Sequence, residues 1–262
     1  MQKLFSYTFS QNIWRVIPDA DPDSNQWVIE LRDVSEKVVS LAVVDLAREE
    51  LMWHGVPEGV DWWTSLTAFS YGRIFLHNYR YPEIPEPTDL LAVDGSEGQL
   101  LWALPNHILV KSLDKNHLEV ARKLAGQFQY MQCEAASGEI MPMQEVSVPQ
   151  SGEIILTEPI RYKEGNVYYP KLSSFITDIT GGHIPLSIDY LEKRPYIIFS
   201  YYIYEQDKIV QYLLILTDRK ELVLHEKLTE KRDGMGSSTM MLKSSTLVFL
   251  KNNNEFSSLT LS

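Results

Sequence analysis

The chain has 262 residues, 44% of them hydrophobic and 23% charged, with 24 basic residues against 35 acidic ones and a net charge of −11. That length buries a real core, and the composition excludes a disordered polyelectrolyte. The negative balance opposes the counterion release that drives nucleic-acid binding and the attraction of basic surfaces to anionic membranes. No apolar run approaches the ~20 residues of a transmembrane helix, so neither nucleic acid nor membrane insertion is expected. A lone Cys133 excludes a disulfide framework within the chain and any cysteine-rich zinc site. In "FQYMQCEAAS" it reads as a small buried apolar residue.

In chain order, the N-terminus "MQKLFSYTFSQNIW" carries no basic-then-apolar leader, and a cytoplasmic protein is the expectation. "QKLFSYTF" is a spare strand. Then come "NIWRVIP", "QWVIELR", "KVVSLAVVD" and "EELMWHG", followed by "TSLTAFSY", "GRIFLHNY", "DLLAVD" and "GQLLWAL". These are short β-branched and aromatic runs cut by turn residues. Residues 112–126, "SLDKNHLEVARKLAG", compete as a helix but also read as two strands around "DKN". The chain ends on three strands, "STMMLKSSTLVFLKNNNEFSSLTLS".

The strands repeat. Aligned on Asp45 and Asp94, two stretches place an apolar run before the acid, a turn after it, and Trp53 or Trp102 eight positions on. A third copy has Glu134, Gly138 and Pro142 in place of the tryptophan, and Asp218 marks a shorter variant. The acids lie 49, 40 and 84 residues apart, the last close to two units, with Asp178 where the skipped unit needs its turn. A hairpin period of 40–49 residues indicates propeller blades. The expected fold is therefore all-β, a single β-propeller domain over 1–262 built of four-stranded blades. Six blades are expected over five or seven. They fall at about 10–55, 60–104, 106–143, 144–184, 185–228 and 235–262, with residues 3–9 completing the last and closing the ring.

At these positions the chain resembles the quinoprotein-type, tryptophan-docking propeller repeat, with its apolar–Asp–turn–Gly–Leu–Trp pattern. Asp94, Gly98 and Trp102 match it fully, Asp45 and Trp53 lack the glycine, and Glu134 and Gly138 lack the tryptophan. The resemblance implies that these residues are structural, the tryptophan stacking between blades, and it implies no quinone chemistry. The chain also resembles outer-membrane assembly lipoproteins of this class and uncharacterised bacterial proteins of unknown function.

Two stretches carry candidate sites. In "DADPDSNQWVIE", Asp19, Asp21, Asp23, Asn25 and Glu30 take positions 1, 3, 5, 7 and 12 of a calcium loop. Ser24 stands where the turn wants glycine, and the competing reading is a polar hairpin connection. "VPEGVDWW" and "HNYRYPEIPEPTD" are expected at one end of a blade, bringing Trp62, Trp63, Tyr79, Arg80 and Tyr81 onto one partner-binding surface with a stiff proline-rich projection. The competing reading buries Trp62 or Trp63 as a core plug.

"KRDGMGSS", residues 231–238, lacks the context of a phosphate loop. The six histidines, at 54, 77, 107, 117, 183 and 225, show no metal spacing and read as hydrogen-bonded strand-end residues, with His183 after Gly181-Gly182 the most mobile. "FSYYIYEQ" alternates as a strand. No catalytic constellation is expected, and no cofactor unless calcium. The function read from these features is a monomeric scaffold that binds a protein or peptide through one loop face. The alternative is an enzyme or small-molecule binder with its site at the mouth of a central channel.

Overall fold

The computed structural model describes residues 4–81, 83–84, 86–142, 156–232 and 239–261. Contacts divide the chain into two compact units, Gln11–Ile154 and Met1–Ser10 with Ile155–Ser262. In chain order the strands begin with β1 (Leu4–Thr8), β2 (Asn12–Pro18), β3 (Gln26–Asp33), β4 (Val38–Asp45) and β5 (Glu50–Gly55). Next are β6 (Ser65–Ser70), β7 (Arg73–Asn78), β8 (Asp89–Asp94) and β9 (Leu100–Pro105). Then follow β10 (Ile108–Ser112), β11 (His117–Leu124), β12 (Gln127–Glu134) and β13 (Ile140–Met141). The remainder is β14 (Leu156–Thr157), β15 (Ile160–Lys163), helix α1 (Tyr169–Thr180), β16 (Ser187–Lys193), β17 (Tyr196–Glu205), β18 (Lys208–Thr217), β19 (Leu222–Arg232), β20 (Met240–Lys243), β21 (Thr246–Lys251) and β22 (Glu255–Thr260).

In Gln11–Ile154 these strands make three antiparallel four-stranded meanders, sheet I (β2–β5), sheet II (β6–β9) and sheet III (β10–β13). The expected blades at 10–55, 60–104 and 106–143 thus each form a sheet, and 112–126 folds as strands around the turn at Asp114. The middle strands of sheet II are apolar on both faces because that sheet lies between sheets I and III. Val28, Leu41 and Val43 of sheet I pack on Leu66, Phe69, Ile74 and Leu76 of sheet II. On the other side Phe75, Leu90, Ala92 and Trp102 pack on Leu109, Leu118, Val120 and Cys133 of sheet III.

The second unit departs from expectation. Sheet IV runs β15-β16-β17-β18-β19 and sheet V runs β1-β22-β21-β20-β14, so both have five strands where four were expected. β1 pairs in register with β22, Leu4 opposite Leu259 and Thr8 opposite Glu255, so the N-terminal strand supplies what the last segment lacks. The segment expected as a blade at 144–184 forms no sheet of its own among the described residues. Its strand β14 joins β20, its strand β15 joins β16, and 169–180 is helical. Residues 144–155 of it lie outside the described residues, as do 143, the last of the preceding expected blade, and 233–238 of the glycine-containing stretch.

Helix α1 has local causes. Pro170 fixes the first turn, Gly181 at φ 72° ends the helix, and Leu172, Phe175 and Ile176 recur at helical spacing. Asp178 therefore sits in this helix and not at a hairpin turn. The apolar face of α1 packs on Ile188, Phe199 and Tyr201 of sheet IV, while the opposite face of that sheet packs on Leu242, Leu247 and Phe249 of sheet V.

Candidate functional site

The repeated acid and tryptophan have a local mechanism. Asp94 Oδ1 accepts the backbone N–H groups of Ser96 (2.8 Å) and Glu97 (2.9 Å), and the Gly98 N–H bonds the Asp94 carbonyl at 2.9 Å. The turn so formed receives the indole of Trp53 from sheet I, whose Nε1 donates to the Gly95 carbonyl at 2.7 Å. One sheet on, Trp102 donates to the Ala135 carbonyl at 3.1 Å and lies on Gly138, in the turn that starts at Glu134. A Cβ would meet the ring at 2.9 Å on Gly98 and at 2.8 Å on Gly138. The first copy closes on Asp45, which accepts from Ala47 at 2.9 Å. There Glu49 holds the glycine's place at φ 58°, and its Cβ would block an indole docked as closely.

The acidic loop is not gathered around a cavity. Asp19 is buried and accepts the N–H groups of Tyr71 (2.6 Å) and Gly72 (3.0 Å), tying sheet I to the β6–β7 turn. Asp21 accepts from Asp23 N–H at 3.0 Å, and the Asn25 carbonyl accepts from Leu46. Glu30, fully buried on β3, holds Arg32 Nε at 2.7 Å and the Leu66 N–H at 2.9 Å. Asp19 and Glu30 thus act as inter-sheet ties. Among the described residues no group of three or more His, Cys, Asp or Glu side chains is placed to hold a metal.

The aromatic loops do form a surface, in two parts. Asp61 accepts from the Trp63 N–H (2.8 Å) and the Thr64 hydroxyl (3.1 Å), a tight turn that sends the two indoles apart. Trp62 turns back over the Arg32 guanidinium, 5.1 Å from the ring centre, and Trp14 covers that guanidinium from 5.2 Å. Arg32 also donates to the carbonyls of Trp62 (3.0 Å) and Thr64 (2.9 Å). Its charge is thereby met by Glu30 below and two π-faces. Trp63 faces solvent, so neither indole is a core plug.

Thr64 bonds Asn78 at 3.0 Å, which joins this turn to the neck of the 79–88 loop. Thr88 closes that neck on Asn78 and Arg80, and Arg80 reaches Asp89 at 2.5 Å. Beyond it, Tyr81, Ile84 and Pro87 face Ile108 and Phe128 of sheet III across a groove of about 340 Å³, with Glu86 bound to Lys123 at 2.8 Å on its rim. Tyr79 is half-buried beside the neck. The 61–64 turn and the 79–88 loop meet, but Trp62 lies on Arg32 of sheet I, Trp63 faces solvent, and Tyr81 lies toward sheet III. Trp14, Arg32 and Phe128 were missed, since only strand register shows that they reach these loops, and Ile84, inside the second loop, was not singled out.

His77 behaves as a strand-end histidine. Its Nε2 accepts the Leu109 N–H at 2.9 Å, joining sheets II and III, and burial lowers its pKa to about 4. Cys133 is buried, and burial pushes its thiol up to about 11, which leaves it an inert thiol at neutral pH.

No curated protein sequence matches the chain. Residues 20–102, the span holding both complete Asp-to-Trp units, match the family described as Domain of unknown function (DUF4905). Solved structures similar to the chain include BamB of Moraxella catarrhalis, at 9% identity over 98% of this chain and 98% of that one, TM-score 0.34. An uncharacterized protein of Listeria monocytogenes EGD-e is similar at 7% identity over 96% and 95%, TM-score 0.37. The β-propeller domain of the Trilobed protease of Pyrococcus furiosus is similar at 11% identity over 94% and 65%, TM-score 0.34. With TM-scores this low they add nothing to the geometry of the sheets themselves. No described helix is long and apolar enough to cross a membrane.

Proposed function

We propose that the sheets are blades of the tryptophan-docking propeller type and that the protein is a scaffold binding a protein or peptide at the loop end of Gln11–Ile154. The observation that carries this is the surface around the 61–64 turn and the 79–88 loop. Trp14, Trp63 and Tyr81 are 62, 48 and 50% exposed, although each belongs to a segment fixed by hydrogen bonds or stacking. Rigid, exposed aromatics beside an arginine are the composition of binding hot spots. The groove beside Tyr81 has the dimensions to take side chains of an extended segment.

The test is site-specific photocrosslinking in the cells that make the protein. A photoreactive side chain at Ile84 is expected to capture one defined partner, while the same group at Tyr204, more exposed still and on sheet IV, captures none. Equal capture from both positions, or none from Ile84, would overturn the assignment.

A further inference from the structure

Sheet IV carries a second cluster that the loop surface does not use. Tyr201 on β17 is fully buried, yet its hydroxyl meets two imidazole nitrogens, His183 Nδ1 at 2.7 Å and His225 Nε2 at 2.8 Å. The three residues come from separate segments. His183 follows α1 and is held by its N–H on the Thr180 hydroxyl (3.1 Å) and its carbonyl on the Thr177 hydroxyl (2.9 Å). His225 lies on β19, solvent-exposed, with its ring centre 5.6 Å from that of His183. Tyr212, opposite Tyr201 in the sheet, floors the cluster with its ring 4.8 Å from His183, and it binds Glu205 at 2.6 Å.

We propose that this cluster is a binding site for one divalent copper-like ion, held by His183 Nδ1, His225 Nε2 and the deprotonated Tyr201 oxygen. The nitrogen–oxygen separations of 2.7 and 2.8 Å are hydrogen-bond lengths, and they hold two imidazole nitrogens from separate segments beside one phenolic oxygen. Two imidazoles and a phenolate are the N,O donor set that favours copper(II) over harder cations. Without metal the same atoms are held together because the hydroxyl donates to one imidazole and accepts from the N–H of the other. On binding, the phenolic proton leaves to solvent, and the donating imidazole moves its proton to its other nitrogen. The exposed edge of His225 is the way in, and the Glu205 carboxylate, close enough to His183 to feel its charge, offsets part of the added positive charge.

The experiment is titration of the full chain with copper(II) alone, followed by electron paramagnetic resonance and visible absorption, with zinc(II) as competitor. The expected result is one tight site with nitrogen hyperfine structure and a phenolate-to-copper charge-transfer band. Tyr201→Phe should abolish the band. His225→Gln, at an exposed position, should weaken binding at least about tenfold, the loss typical even of an outer-shell partner. His54→Gln, at a histidine outside the cluster, should change neither. Copper binding that is unchanged in His225→Gln, or a wild-type complex without the charge-transfer band, would overturn the site.

Discussion

At the scale of single residues, the repeat works through contacts a methyl group can break. Gly98 combines φ 75° with an indole where its Cβ would lie, so Gly98→Ala adds backbone strain to a steric clash and should cost about 2–4 kcal/mol. Urea denaturation measures this, and Glu49→Ala, at the same turn position in the copy whose glycine is missing, serves as the near-neutral comparison. His77 gives a pH dependence with a definite sign. Its folded pKa of about 4 lies below the ordinary 6.5, so the unfolded chain binds more protons between these values and stability falls as pH drops from 6.5 towards 4. The full loss is about 3 kcal/mol. Unfolding midpoints across that window should fall more steeply for wild type than for His77→Gln. The aspartates, glycines and tryptophans of the repeat were readable because a turn and a wedge use fixed residue types at fixed spacing. The partners of Asp19 and Glu30 were not, since calcium-loop spacing ignores that Glu30 points into a sheet interface.

At the scale of elements, strands were legible from their β-branched runs and turn residues, whereas α1 was not. Its helical pattern is one face of three turns, and Asp178 falls where the repeat spacing needs a turn acid. The helix occupies the face of sheet IV that a further sheet would cover, burying Ile176 against Phe199 and Tyr201. That sheet I and sheet II are joined by polar ties as well as apolar packing sets up another test. Glu30→Ala removes the acid that pairs Arg32 and caps the Leu66 N–H, and it should destabilise the protein by about 3–5 kcal/mol, the cost of orphaning one partner of a buried ion pair. Calorimetry reads it as a lowered Tm, and Glu30→Gln should lose less by keeping the Leu66 contact. In sheet V, Phe9 is buried beside β1. Phe9→Ala should cost about 3 kcal/mol and loosen β1 from β22, seen as faster amide exchange at Phe256 and Ser258.

At the scale of the molecule, the repeated tryptophans dock on the turns of the next sheet, and the proposed partner surface lies on the connecting loops. The Trp62–Glu86 stretch was legible as a binding candidate because aromatics and arginine crowd into turns there. Its division into two faces was not, since it depends on which neighbouring sheet each side chain meets. Trp14 and Phe128, far apart in sequence, complete the two faces only through strand pairing. The binding assignment is tested most directly by native mass spectrometry of the protein captured gently from its own cells, comparing wild type with Trp63→Ser/Tyr81→Ser. Both substitutions lie at exposed positions and should leave the fold intact. The predicted result is a reproducible protein-sized mass increment on wild type that disappears in the double variant. An increment retained by the double variant would contradict it.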